Sequence, residues 1–585
     1  VVFLIIGIDV GGTHTDGVLV KKDNSHYKIE STVKVKTRHN NLKSSILEVL
    51  DKLTASIDNK KIERLVLSTT LVTNIIYEEK YEPVGLILIP GPGLSHEHLK
   101  YGEENIILEG YIDHRGQEVK SVSTQKIKEG LKRLQAEEIE NVAVVGKFSV
   151  RNPVQEEKVK EIITAGDYNF KNITLGHQLS GNLNYYRRII TAYYNTAVSS
   201  VHQDFINSIE ASLQAREIKA NLYLLKCDGG TVDLKNSREI PIKTVNSGPA
   251  ASIMGTMVLN QSSQTGIALD IGGTTTDFGL FIKGETSFKP KGIEIDKHPT
   301  LIRGLYSHSI ALGGDSAVQV KAGKIKVGPE RRGPAAALGG PAPTPTDALL
   351  VLDQIKEAEA KQLDFDLKKA KSGLAALKKD LDLNFYSDYL QGDESELRLT
   401  ALAQIIIDQI AAKIKKTIAQ ILKTIKNQPV YTINELLKSP EIEPEYIIGI
   451  GGPAASLTEY LAAQLNLKAV VPKHSKVANA LGAAFAHPTI ETTVRADTAR
   501  GCLDIVEAGI HRQLKDENFD LQDAEKLAEE WTLKRFNVKK YPVEIISSES
   551  FNVIRNRRTK GQIIEVKAQI KPGLIADLKG GKLII

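Results

Sequence analysis

Cysteine is scarce in this 585-residue sequence, which carries only Cys227 and Cys502, far apart in the chain. Two scattered thiols exclude a disulfide framework, a cysteine-built zinc site and a four-thiolate iron–sulfur site. They suit a reducing, cytoplasmic setting. No apolar run reaches the roughly 18 residues of a membrane span. Residues 1–10 have the hydrophobicity of a signal core, but they lack a basic flank and run into Asp9, so a buried strand is expected there. The formal net charge is only +5 and no Lys/Arg block stands out, so neither a nucleic-acid nor a membrane partner is expected. What remains is an ordinary globular composition, 41% apolar and 25% charged. The length predicts about two to four domains.

The most informative feature present is an internal repeat. Residues 6–20 read IGIDVGGTHTDGVLV and residues 267–281 read IALDIGGTTTDFGLF, eight identities in fifteen at an offset of 261. Each is a β-branched run, Asp-x-Gly-Gly-Thr-x-Thr-Asp, then a second apolar run, the local chemistry of a β-hairpin. Glycines without side chains let a phosphate approach the backbone N–H groups. Thr13, Thr15, Thr274 and Thr276 carry hydroxyls that can bond phosphate oxygens. Asp9 and Asp270 sit at strand ends facing the turn, where a carboxylate beside a polyphosphate serves Mg²⁺, commonly through its water shell. Asp16 and Asp277 either do likewise or cap the turn. A second repeat, GPAAS at 248–252 and 452–456, leads each time into a small-residue helix. Residues 446–450 followed by Gly451 and Gly452 read as strand, glycine turn and helix, where a flat ring can lie against the backbone.

Elsewhere strand-like runs at 64–68, 84–89, 142–145, 221–225 and 446–450 alternate with helical runs at 42–54, 123–136, 182–215 and 395–426. This alternation predicts an α/β fold. Residues 333–345 form a Gly/Pro/Ala loop. Residues 491–585 carry 17 Lys/Arg against 15 Asp/Glu and read as a separate folded tail.

Two phosphate hairpins with a Gly-Gly nucleoside motif resemble the actin-like ATPase superfamily. The ordered stretches DVGGTHTD (9–16), STTLVTN (68–74), YIDHRGQ (111–117), NPVQEE (152–157), SGPAAS (247–252), DIGGTTTD (270–277), KVGPE (326–330), PTDALLVL (345–352) and GIGGPAAS (449–456) are similar to the hydantoinase A/oxoprolinase family, over about residues 4–490. The resemblance implies two actin-like, ribonuclease H-like α/β lobes with a nucleotide cleft between them. Lobe I is expected at 1–260, its hydantoinase A N-terminal-type region at about 4–180, lobe II at 261–490 and a small C-terminal domain at 491–585. It implies ATP and Mg²⁺ as cofactors. Gly11, Gly12, Gly272, Gly273, Gly313 and Gly314 and the four threonines would serve the phosphates, and Gly451 and Gly452 the nucleoside. Asp9, Asp270 and Asp277 would serve the metal, and Asp9, Asp270 and His308 catalysis.

The implied activity is MgATP-dependent opening of a cyclic amide, or a related carboxylation, with activation of a carbonyl oxygen by phosphoryl transfer. The implied partner is a separate hydantoinase B-type subunit. An ATP-driven activator or chaperone and a small-molecule kinase are the rival classes, and the scarce cysteines argue against cluster-bearing reductive activators. The sequence departs from the family near 305–316, where the family reads approximately Asp-Ile-His-Thr-x-Gly-x-Gly-Gly-Gly-Ser. His308, Gly313 and Gly314 are kept, while Tyr306 stands at the acidic position and Asp315 at a glycine. A neutral cyclic amide or carbonyl substrate is therefore expected.

Overall fold

The computed structural model describes residues 3–584 except 25, 94, 290, 390–397, 427–441, 453, 517, 537–540, 556 and 577–582. Strand Phe3–Val10 is buried at seven of its eight positions, as its β-branched run requires. It turns at Gly11 and Gly12 and pairs antiparallel with His14–Asp23, with Asp9 opposite Asp16 and Val10 opposite Thr15. On its other side Ile62–Thr69 runs parallel. Among the described residues these strands lie inside a seven-stranded sheet. Its order is Thr231–Asp233, Asn221–Leu225, Ile62–Thr69, Phe3–Val10, His14–Asp23, His26–Lys36 and Leu583–Ile584.

The repeat is reproduced in a second sheet. Gly266–Ile271 pairs antiparallel with Thr276–Ile282, with Asp270 opposite Asp277 and Ile271 opposite Thr276. Tyr446–Ile450 runs parallel on the other side, followed by Lys468–Val470, and Ser307–Ile310 pairs antiparallel with the outer edge of the hairpin. The helix Leu399–Lys426 covers this sheet with Ile405, Ile406, Ile410, Ile414, Ile418 and Ile421, so its apolar stripe is core. The start of the expected helix, residues 395–397, lies outside the described residues.

A parallel four-stranded sheet, Asn172–Leu175, Asn141–Gly146, Val84–Ile89 and Glu104–Ile107, is inserted into the first half of the chain. Helix Tyr185–Gln214 packs on it, and its tyrosines at 193 and 194 meet Tyr81 and Tyr101 edge to face. They pack rather than form a stacking platform. Cys227 is buried and donates to the Arg303 carbonyl at 3.1 Å, with burial pushing its thiol pKa up, so it is a structural thiol.

Two small-residue helices, Ser247–Leu259 and Ala478–Phe485, cross between the sheets. A Cβ at Gly255 would lie 2.0 Å from the Ala478 carbonyl oxygen, and one at Gly482 would lie 2.2 Å from that of Ala251. Only glycine fits at this crossing.

The last segment forms an antiparallel five-stranded sheet (Ile510–Gln513, Cys502–Ile505, Glu491–Asp497, Arg558–Ile570, Val543–Arg555), with helix Leu521–Phe536 against it. It does not stand apart as a tail. The Ile575 amide donates to the Phe485 carbonyl at 2.8 Å, and Leu583–Ile584 pairs with Tyr27 and Lys28 of the first sheet. Among the described residues no helix is long and apolar enough to cross a membrane.

Candidate active site

The two hairpin turns close in the same way. Gly11 N–H donates to the His14 carbonyl at 3.0 Å, and Gly272 N–H donates to that of Thr275 at 2.9 Å. The turns also face each other. A Cβ at Gly12 would come 3.9 Å from Thr274 Oγ1, and one at Gly273 would come 3.0 Å from Thr13 Oγ1. Each hairpin thus offers a threonine hydroxyl to the bare backbone of the other, an arrangement that suits a polyphosphate lying between them. Thr15 and Thr276 are different, and the expectation that all four hydroxyls face the phosphates is corrected here. Thr15 Oγ1 is buried against Thr37 Oγ1 at 3.0 Å, and Thr276 Oγ1 donates to the Leu312 carbonyl at 2.6 Å. Both belong to strands, where alternation turns them inward.

Four carboxylates converge behind the turns. Ser252 Oγ donates to Asp270 Oδ2 at 2.6 Å and Asn479 Nδ2 donates to the same oxygen at 2.9 Å. Asp9 Oδ1 and the adjacent Ser68 Oγ are buried without a hydrogen-bond partner. Burial pushes the Asp9 carboxyl up to about 7; the polar Ser68 side chain offsets this, while the charges of Asp16 and Asp270 add to it. Asp277 is likewise pushed up to about 7 by burial and by Asp270. Burial raises Asp16 as well, against the Lys34 ammonium at 2.7 Å. Among the described residues no three metal-ligand side chains gather into one cage. An orphaned buried carboxylate oxygen in a cluster of like charges nevertheless fits a divalent cation that keeps most of its ligands as water and phosphate.

The segment after the second hairpin clamps its turn. Gly314 N–H donates to the Gly272 carbonyl at 2.9 Å and Asp315 N–H to that of Gly273 at 2.7 Å. A side chain at Gly313 would strike the Gly273 backbone. Asp315 pairs with Arg331 at 3.2 Å, and the Arg331 charge also presses on His14, so this arginine lies beside both hairpins. Gly451 has φ +93°, and a Cβ there would lie 2.7 Å from Asp270 Oδ1, while one at Gly452 would meet open space. The Gly-Gly motif is therefore seated against the second hairpin. His308 is not brought into the carboxylate cluster. It lies opposite Phe278 in the pairing that sets Ser309 opposite Asp277, which places it on the other face of the sheet. Burial and Lys289 lower its pKa.

Residues 188–492 match the family described as Hydantoinase/oxoprolinase, and residues 5–166 match the Hydantoinase/oxoprolinase N-terminal region. The chain belongs to the hydantoinase/oxoprolinase family. Its relatives include the acetophenone carboxylase gamma subunit of Aromatoleum aromaticum, 25% identical over 60% of this chain and 53% of that one. Caprolactamase subunit alpha of Pseudomonas jessenii is 23% identical over 60% and 55%. The chain thus spans about half the length of either relative. It covers 20% of the 5-oxoprolinase of Saccharomyces cerevisiae, at 29% identity. Among solved structures, the ATP-dependent caprolactamase from Pseudomonas jessenii superposes with a TM-score of 0.70 over 96% of this chain and 87% of that one, at 18% identity. A nucleotide-free acetone carboxylase superposes with a TM-score of 0.66 over 99% and 89%, at 15% identity. These likenesses establish the mixed α/β fold of this family member.

The raised carboxyls have a measurable consequence. A carboxyl whose folded pKa is about 7 against an ordinary 3.8 contributes stability at low pH that is lost as pH rises from about 4 through 7. The nucleotide-free family chain is therefore expected to melt at lower temperature at pH 8 than at pH 6. Binding of MgADP is expected to release protons near pH 7, read by calorimetry in buffers of different ionisation enthalpy. Proton uptake on binding would contradict the assignment of these carboxylates to the cation.

Proposed function

We propose that this chain is the MgATP-dependent subunit of a hydantoinase/oxoprolinase-type enzyme. It activates a cyclic amide or carbonyl compound by phosphoryl transfer to the carbonyl oxygen, for ring opening or carboxylation. The observation that carries this reading is the pair of facing hairpin turns, Thr13 over Gly273 and Thr274 over Gly12, in front of the Asp9 and Asp270 carboxylates. The backbone of Gly11, Gly12, Gly272 and Gly273 receives the phosphates, and Gly313 and Gly314 fix the second turn. Gly451 and Gly452 leave room for the nucleoside. Asp9, Asp270 and Asp277 hold Mg²⁺, in part through water, and Asn479 and Ser252 orient Asp270. The bound cation supplies charge neutralisation on the transferred phosphoryl group. Two relatives are named as the gamma subunit and subunit alpha of their enzymes, which supports a hydantoinase B-type partner for this chain. The reading is tested by ATP turnover of the chain with and without the neighbouring subunit, across lactams, hydantoins and ketones. Stimulation by a carbonyl compound supports it. A stable phosphorylated product that leaves, or stimulation by a protein partner alone, overturns it.

The departures from the family pattern bear on the substrate. Asp315 Oδ2 would lie 2.8 Å from a Cβ at Gly273, which places a carboxylate beside the turn. A substrate carboxylate close to it is disfavoured even with Arg331 nearby. 5-Oxoproline is expected to be turned over at least about tenfold less efficiently than a neutral lactam, a difference of about 1.4 kcal/mol in transition-state binding. His308, on the far face from Asp277 and outside the carboxylate cluster, is assigned here to the substrate rather than the nucleotide. His308→Ala is therefore expected to lower substrate-stimulated ATPase while sparing MgATP affinity, measured by titration of a fluorescent nucleotide. Efficient turnover of 5-oxoproline, or full stimulation in the variant, counts against this.

A further inference from the structure

A cavity of about 1210 Å³ lies between the inserted N-terminal region and the C-terminal sheet, and no hairpin-turn residue lines it. Its walls carry Arg115, Arg151, Arg495 and Arg500. Arg495 projects from strand Glu491–Asp497 and is only 8% exposed, yet its guanidinium donates only to the Val150 carbonyl at 3.3 Å among the described residues. Arg151 approaches from the other wall, and its buried Nε has no hydrogen-bond partner. Among the described residues no carboxylate lies within ion-pair distance of Arg151 or Arg495. Asp497 is already engaged by Arg115 at 3.2 Å, and Arg500 Nη1 donates to the Arg115 carbonyl at 2.7 Å. The carboxylate nearest in register is Glu565, opposite Arg495 on the neighbouring strand. Burial raises the Glu565 pKa, which weakens it as a counter-ion.

Arg495 is withdrawn from water and Arg151 is half-buried with its Nε enclosed, while Glu565 and Asp497 act on both only from beyond ion-pair distance. This is costly, since a buried charge needs both a close counter-charge and hydrogen-bond partners. Guanidinium forks match planar and tetrahedral oxyanions better than any other side chain. The volume exceeds what a bare ion needs and is of the size that encloses an organic molecule. We propose that this cavity binds a small oxyanion-bearing ligand, a phosphate ester or a carboxylate, gripped by Arg151 from the N-terminal region and Arg495 from the C-terminal sheet. Because the two arginines come from opposite walls, such a ligand ties the C-terminal sheet to the N-terminal region from a place separate from the hairpins.

The test uses the full chain saturated with MgADP, so that the hairpin site is filled, with inorganic phosphate and citrate as probes in calorimetry and thermal melts. Wild-type protein is expected to bind at least one probe at a single site with a raised melting temperature. Arg151→Gln is expected to lose at least tenfold in that affinity while keeping MgADP affinity and basal ATPase. Arg495→Gln should do the same. Because Arg495 is the more buried of the two, Arg151→Gln decides the matter if Arg495→Gln fails to fold. Binding of phosphate alone assigns a phosphate ester and binding of citrate alone a carboxylate. The proposal is overturned if neither probe binds wild-type protein, or if Arg151→Gln binds as wild type does.

Discussion

Asp270→Asn is expected to reduce MgATP turnover by about 10²–10³-fold or more while the protein stays folded, and Asp9→Asn is expected to do the same. The asparagine keeps the shape of the carboxylate, so Ser252 and Asn479 still have an oxygen to donate to, while the charge is lost and the other oxygen becomes an amide donor. Asp270→Ala is a harsher change, because it strands the Ser252 hydroxyl and the Asn479 amide at about 1–3 kcal/mol for each unsatisfied group. The two asparagine variants should diverge in stability. Asp9 is 4% exposed with an orphaned oxygen and a carboxyl pKa near 7, so removing its charge relieves a burial cost. The Asp9→Asn apo protein is expected to melt at higher temperature than wild type above pH 7, and to lose turnover none the less. ATPase assays and thermal melts at pH 6 and pH 8 read both effects. Wild-type turnover in both variants removes the nucleotide-site assignment altogether.

Gly482→Leu is expected to have the second-largest effect. In an isolated helix the exchange of glycine for leucine favours the helix by about 1 kcal/mol. Here the added Cβ would lie 2.2 Å from the Ala251 carbonyl oxygen and 2.4 Å from the Gly255 amide nitrogen. These are backbone atoms and cannot rotate away, so the helices must separate. Overpacking of this kind costs about 1–3 kcal/mol or more, which outweighs the propensity gain. Because the two helices stand between the two hairpin-bearing sheets, we propose that their crossing is the pivot on which the sheets close over nucleotide. The variant is expected to melt earlier and to lose the nucleotide-induced compaction expected of wild type, as read by thermal melts and small-angle scattering. Unchanged compaction would count against the pivot.

The hairpins were legible because identical chemistry at an offset of 261 residues leaves little else to be built; the pairings of Asp9 with Asp16 and of Asp270 with Asp277 follow from a two-residue turn. The burial of Thr15 and Thr276 was in principle legible too, from the period of two along a strand. Asn479 was not. It stands 209 residues from Asp270 in a helix whose alanines and glycines draw attention to packing, and only the fold brings its amide to the carboxylate. Arg331 escaped notice for the same reason, since its partner is a loop aspartate 16 positions away and the hairpin it also serves lies at the other end of the first half. His308 was read from its local pattern, but which face of the sheet it occupies depends on pairing with a strand that the sequence does not announce.

The pairing of Leu583–Ile584 with Tyr27 and Lys28 also bears on self-association. His26–Lys36 would otherwise be the outermost strand of its sheet, with open N–H and C=O groups available to any extended peptide. Lending it two residues from the same chain occupies part of that border and leaves less template for cross-chain pairing, the usual seed of β-aggregation. Residues 583–584 thus guard one rim of the seven-stranded sheet, so cleavage that removes them would first be felt as stickiness between molecules, before any loss at the distant carboxylates.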